Sequence, residues 1–143
     1  MQIKPSLVAF AFAFALAAGA AQAQTLNYMA NLSGAQEVPK VDTAGTGMAM
    51  VSLDSATNTV SWEVTYSGLS GKALAGHIHG PAAAGANAPV VVPFTAPLDS
   101  PIKGSAKVTP AQAQQLEAGN WYVNIHTADH KAGEIRGQLL PAK

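Results

Sequence analysis

The stretch Val60-Ser61-Trp62-Glu63-Val64-Thr65-Tyr66 decides the class of fold. Successive side chains of an extended strand leave opposite faces. A period of two therefore turns Val60, Trp62, Val64 and Tyr66 to a core and leaves Ser61, Glu63 and Thr65 toward water. The same alternation runs upstream through Leu26, Tyr28, Ala30 and Leu32, and through Ala49, Val51 and Leu53 opposed by Met48, Met50 and Ser52. Downstream it returns in Trp121, Val123 and Ile125 against Tyr122, Asn124 and His126, then in Ile135, Gly137 and Leu139 against Glu134, Arg136 and Gln138. Shorter runs at Ala73 to His79, Val90 to Phe94 and Gly104 to Thr109 complete the set. Turn-forming residues punctuate them: Ser33-Gly34, DSATN at 54–58, Ser67 to Gly71, and PAAAGANAP at 81–89, a loop that projects or wraps.

This pattern predicts an all-β fold, a Greek-key β-sandwich or small barrel. One short helix is expected at Pro110 to Ala118, with Thr109 as its cap, Pro110 at the first helical position and Gly119 just beyond its end. Residues 1–23 form a basic start at Lys4, an apolar run from Leu7 to Ala18 and a small-residue Ala21-Gln22-Ala23 end, the pattern of a secretory signal peptide. The apolar run is too short for a membrane span. Residues 24–143 are then one β domain, periplasmic or secreted, with no membrane span after the leader is cut.

Loss of Lys4 with the leader leaves seven basic against eight acidic residues, a formal charge near −1 with no basic block, which argues against nucleic acid as a partner. The chain has no cysteine, so thiolate metal sites and thiol nucleophiles are excluded. Any metal must be held by nitrogen, carboxylate or thioether.

The four histidines fall in two clusters, GHIHGP at 76–81 and NIHTADH at 124–130. On a strand His77 and His79 share one face while Ile78 anchors the other, which makes them a chelating pair. His126 and His130 are the expected third and fourth members of a metal site, and imidazole suits copper or zinc. His130 is read as a ligand, a supporting partner or part of the rim. Asp129 and Glu134 are candidates to orient an imidazole, or else ordinary surface carboxylates. Arg136 either attracts a small anion to an open metal position or forms a salt bridge with Glu134 or Glu37. Tyr122 and Asn124 share the face of His126 and can close the pocket, while Glu37 can tie the first long loop to the histidine face or to Arg136. Met29, Met48 and Met50 share the non-core phase of their strands, which fits either a thioether site for reduced copper or packing against another layer or subunit.

Several motifs, LSGAQEVPKV at 32–41, GTG at 45–47, YSGLSG at 66–71, GHIHGPAAAG at 76–85 and AGNWYVNIHTADHKAGEIRGQL at 118–139, together resemble the CHRD family, the domain repeated in chordin. The resemblance spans the chain after the leader and implies a stand-alone exported bacterial member. In animals the domain belongs to an extracellular growth-factor-binding protein. The histidine arrangement is more loosely similar to copper/zinc superoxide dismutase, which implies a superoxide-dismutase-like or immunoglobulin-like sandwich. It also implies His77, His79 and His126 as copper ligands, His130 as a fourth ligand or a catalytic proton donor, and Arg136 as the catalytic guide for superoxide. The missing cysteines and the shortage of histidines for a separate zinc depart from that enzyme and leave at most a copper-only centre.

Three functions follow as expectations: an exported copper protein with a mononuclear histidine site that dismutates superoxide, a non-catalytic copper or zinc binder or carrier, and a metal-free structural or interaction module. A homodimer is compatible with a small sandwich that has exposed edges, although no residue requires one.

Overall fold

The computed structural model describes residues 22–143, so the expected leader, apart from Gln22 and Ala23, lies outside the described residues. The strands are β1 (Thr25–Ser33), β2 (Thr46–Asp54), β3 (Thr59–Ser67), β4 (Ala75–His79), β5 (Val90–Pro93), β6 (Ile102–Lys107), β7 (Tyr122–His126), β8 (Ile135–Gln138) and the short β9 (Leu140–Pro141). They pair antiparallel in the order β5-β4-β7-β8-β1-β2-β3-β6, with β9 also against β1. The sheet curls into a nearly closed barrel, which resolves the expected choice between sandwich and barrel. Its end strands β5 and β6 flank one cleft with Trp62, and the Trp62 ring stacks on Phe94 with centroids 5.3 Å apart.

Alternation places the core as the sequence predicts. Ala49, Leu53, Val60, Val64, Val123, Ile125 and Ile135 are fully buried, and Trp121 joins them. Helix α1 (Pro110–Glu117) is held at its start by a capping box. The Thr109 hydroxyl accepts from the Gln112 backbone N–H, and the Gln112 side chain accepts from that of Thr109. Gly119 takes a positive φ of 77° just past the end, and Ala113 and Leu116 are buried in the core.

Strand β4 carries the first histidine pair, and the core dictates its composition. Gly76, Ile78 and Gly80 face inward, and His77 and His79 face outward. Ile78 is wholly buried, which contributes about 1.5–3 kcal/mol and pins the strand between the two imidazoles. The glycines make room for aromatic rings: a Cβ on Gly76 would lie 2.7 Å from Phe94 Cδ2, and one on Gly80 would collide with the Trp121 indole. Thus Gly-His-Ile-His-Gly is a strand with crowded aromatics beneath it. We expect Gly76→Ala to cost about 1–3 kcal/mol by overpacking against Phe94 and Ile125, measurable as a lowered denaturant midpoint with an unchanged m-value.

Candidate metal centre

Strands β4, β7 and β8 lie side by side, so their outward residues form rows. His77 pairs with Asn124 and Asn124 with Arg136, His79 with Tyr122 and Tyr122 with Gln138, and Ala75 with His126. His126 is therefore the diagonal neighbour of His77, and a contact between residues 49 apart in sequence follows from the register. His77 Nδ1 lies 3.0 Å from His126 Nε2. The ligand-capable nitrogens of His77, His79 and His126 all lie within 4.8 Å of one another.

Backbone carbonyls determine which nitrogens are free. A carbonyl only accepts, so His79 Nδ1, 2.9 Å from Ala88 O, carries its proton and donates it, and His126 Nδ1 does the same to Lys131 O at 2.8 Å. Each neutral ring then presents a bare lone pair at Nε2. Both Nε2 atoms face Asn124 Oδ1, at 2.9 Å from His79 and 3.0 Å from His126. The Asn124 amide holds its nitrogen on the side of Gly133 and Glu37 and its oxygen toward the rings. Acceptor groups crowded together repel unless a cation lies among them. This donor set fits a metal ion with imidazole ligands, two of them tethered at the second nitrogen. Asn124→Leu removes the oxygen while keeping the volume. We expect it to weaken metal affinity by about 10–100-fold, as loss of supporting partners does, read by chelator competition.

Charge is disfavoured on His77 and His126. Burial, then the neighbouring His126 and His79, holds His77 down to about 4, opposed by the acceptor oxygen of Asn124. Burial also lowers His126, although its bond to Lys131 works the other way. Low basicity keeps these nitrogens unprotonated for a metal in mildly acidic solution.

The surroundings support His79. The Tyr122 ring stacks on it with centroids 4.8 Å apart and planes 2° from parallel, and the Arg136 guanidinium carbon lies 3.5 Å from the Tyr122 centroid. Two groups that close cannot share one face of a ring, so Tyr122 is sandwiched between them. The 81–89 loop wraps over this stack. Arg136 donates from Nη1 to Asn87 Oδ1 at 2.9 Å and from Nη2 to Ala86 O at 2.6 Å, and the Tyr122 hydroxyl accepts from Ala88 N at 3.0 Å. The same loop supplies the carbonyl that fixes His79.

Several expected roles change. Arg136 does face away from Ile135, but it is only 2% exposed and is held under the loop, and it makes no ion pair with Glu134 or Glu37 among the described residues. Its guanidinium lies against the Tyr122 ring and lines a cavity with Glu37, Val38 and Gln138. His130 does not join the cluster: the turn that carries it uses its backbone oxygen to accept from Thr127 and Gly133, and only His77, His79 and His126 converge. Asp129 is exposed. Glu134 neither orients an imidazole nor lies on the surface. It is fully buried and accepts from the hydroxyls of Thr43 (2.6 Å), Thr127 (2.6 Å) and Ser70 (2.8 Å) and from Ser70 N–H (2.8 Å). Glu37 is buried beside Gly133 and the Asn124 amide, and its Oε1 has no hydrogen-bond partner among the described residues. Burial pushes its carboxyl up to about 7, while Arg136, Asn124 and the Val38 backbone pull the other way.

The carbonyls of Ala88 and Lys131 had no signal in the sequence, because any residue type supplies one. Asn124 had a signal in its i, i+2 spacing from His126.

No curated protein and no solved structure gives a match. The CHRD domain model matches residues 28–139, from the first strand through β8 and across both histidine clusters, and the chain belongs to the CHRD domain family.

Proposed function

We propose that this is an exported protein that binds copper in a mononuclear site made by His77, His79 and His126. One observation carries the reading: three imidazole nitrogens converge within 4.8 Å, and backbone carbonyls fix the free lone pair of two of them at Nε2. Copper stands above zinc because nitrogen donors bind Cu(II) most tightly among the first-row divalent ions. Asn124 Oδ1 supplies a polar group beside the ligands. A bound copper ion would supply Lewis acidity and one-electron redox chemistry there.

Within this reading the chain's own residues bind and position. Ala88 and Lys131 hold two rings by their carbonyls, Tyr122 stacks on His79, and Arg136 locks the loop that carries Ala88. With Arg136 committed to that task, binding or carriage of copper is favoured over superoxide dismutation, for which no steering cation lines the site from the expected position. Among the described residues no helix is long and apolar enough to cross a membrane.

The test is calorimetric titration with Cu(II) and Zn(II), followed by a superoxide assay. Uptake of one copper per chain with no superoxide turnover by the bound ion supports the carrier reading. Rapid turnover shifts the assignment to an enzyme, and absence of tight uptake of either ion sinks the metal reading. The pH profile supplies a further expectation. Metal binding needs neutral imidazoles, and with His77 held near 4 and His126 also lowered, protons should compete with the metal at these two rings only at lower pH than at an ordinary imidazole, read as metal affinity against pH. The metal-free fold has the matching sign. Below 6.5 the unfolded chain takes a proton that folded His77 refuses, so this residue's contribution to stability is lost between about 6.5 and 4.

A further inference from the structure

Every methionine beyond Met1 lies on one small area of the barrel's outer surface. Met29 of β1 stands directly opposite Met50 of β2, and Met48, two residues back on β2, is the diagonal neighbour of Met29. Opposed positions on an antiparallel pair bring Cβ atoms about 4.5–5.5 Å apart and diagonal ones about 7–8 Å, well within reach of side chains with three rotatable bonds.

These residues are not packing. Met29, Met48 and Met50 are 36%, 40% and 59% exposed, so the expectation that they fill gaps against another layer fails within the chain. Exposed positions on strands ordinarily take polar or β-branched residues. What three thioethers share is a soft, uncharged sulfur donor. Such donors favour Cu(I) and discriminate against hard ions and against the divalent ions that imidazole prefers. The surroundings suit a monovalent cation. The register partners of the three are Asn31, Thr65, Glu63 and Leu140, and no Lys or Arg occupies a paired position beside them. Lys103, one strand farther out, is already paired with Glu63 at 3.0 Å, and Lys143 lines the cleft on the Met29 side. The patch is separate from the histidines. From β4 to β2 the order runs β4-β7-β8-β1-β2, about 19 Å along the sheet at the usual strand spacing.

We propose that Met29, Met48 and Met50 form a second metal site, selective for Cu(I) and independent of the histidine centre. It gives the barrel a soft donor set for the reduced ion on one face and a nitrogen set on another.

The experiment uses protein labelled at the methionine methyl carbons and titrated without oxygen, first with Cu(I) and in parallel with Ag(I) as a redox-inert probe. The methyl signals of Met29, Met48 and Met50 should move together and saturate at one equivalent assigned to this patch. They should do so equally in a His77→Ala/His126→Ala variant, which keeps this result distinguishable from failure of the histidine reading. A Met29→Leu/Met48→Leu/Met50→Leu variant, nearly isosteric and altered only at exposed positions, should retain its circular dichroism and its Cu(II) uptake while binding one Cu(I) fewer. Unmoved methyl signals in excess Cu(I), or an unchanged Cu(I) capacity in the leucine variant, overturn the proposal. So do methyl shifts that follow protein concentration without metal, which would make the patch an interface between copies of the chain.

Discussion

His126→Ala and His77→Ala should each reduce copper affinity by at least about 100-fold, beyond the loss typical of removing a supporting partner. The double variant should be little worse than either single. This non-additivity follows from geometry. Both rings contribute to one cluster, their facing nitrogens are 3.0 Å apart, and one missing member breaks the constellation that the other completes. Neither side chain belongs to the core, since both project from the outer face of β4 and β7 and are partly exposed. The folded state should therefore survive, and an unchanged near-ultraviolet spectrum separates loss of a ligand from loss of structure. Additive losses from the two single variants would mean two separate weak sites. His130→Ala should leave affinity within a few-fold of wild type, because its ring is not part of the cluster.

Replacement of Glu134 by Ala should be the most destabilising single change, costing about 3–5 kcal/mol, comparable to breaking a buried ionic partner. The carboxylate gathers Thr43 from the loop before β2, Ser70 from the loop after β3, and Thr127 from the end of β7, so three chain segments lose their common acceptor. A fall in Tm on the order of 10–20 °C would accompany that loss. Glu134→Gln keeps the volume but sets an amide N–H₂ among donors, and about 2–3 kcal/mol is expected. Burial alone would raise this carboxyl. The hydrogen bonds from Thr127, Thr43 and Ser70 outweigh burial and hold it down at about 2. The folded value lies below the ordinary 4.5, so its stabilisation is fully present above pH 4.5 and disappears as pH falls toward 2. The gap between wild type and Glu134→Gln should close over that interval in denaturant titrations, and a gap that is constant with pH would contradict the assignment.

The barrel was legible because its strands alternate strictly. Val60, Trp62, Val64 and their counterparts on β1 and β2 are buried between exposed or half-buried neighbours, while on β7 the outward Tyr122 and Asn124 are buried as well as Val123 and Ile125. The helix was legible because Thr109, Pro110 and Gly119 are local signals, and local signals survive folding. His77 and His79 were readable as a pair for the same reason. Arg136 and Glu134 were not. Alternation says that Arg136 faces outward, and it does, but the 81–89 loop and the Glu37 loop fold over that face and make a second buried layer outside the barrel. Glu134 is buried by three loops whose meeting depends on the strand order, a long-range fact that no spacing along the chain encodes. His130 is close to His126 in sequence, but the rings that converge are those of His77, His79 and His126, and the turn that carries His130 bonds its backbone oxygen to Thr127 and Gly133.

The most direct measurement is electron paramagnetic resonance of the protein loaded with one equivalent of Cu(II), compared between natural-abundance and ¹⁵N-histidine material. Convergence of His77, His79 and His126 on one ion predicts a single copper species whose nitrogen superhyperfine pattern counts three imidazoles and simplifies with the isotope, and which loses one nitrogen in His126→Ala. A spectrum of aquated or heterogeneous copper, or one whose nitrogen count is the same in His126→Ala, would contradict the account.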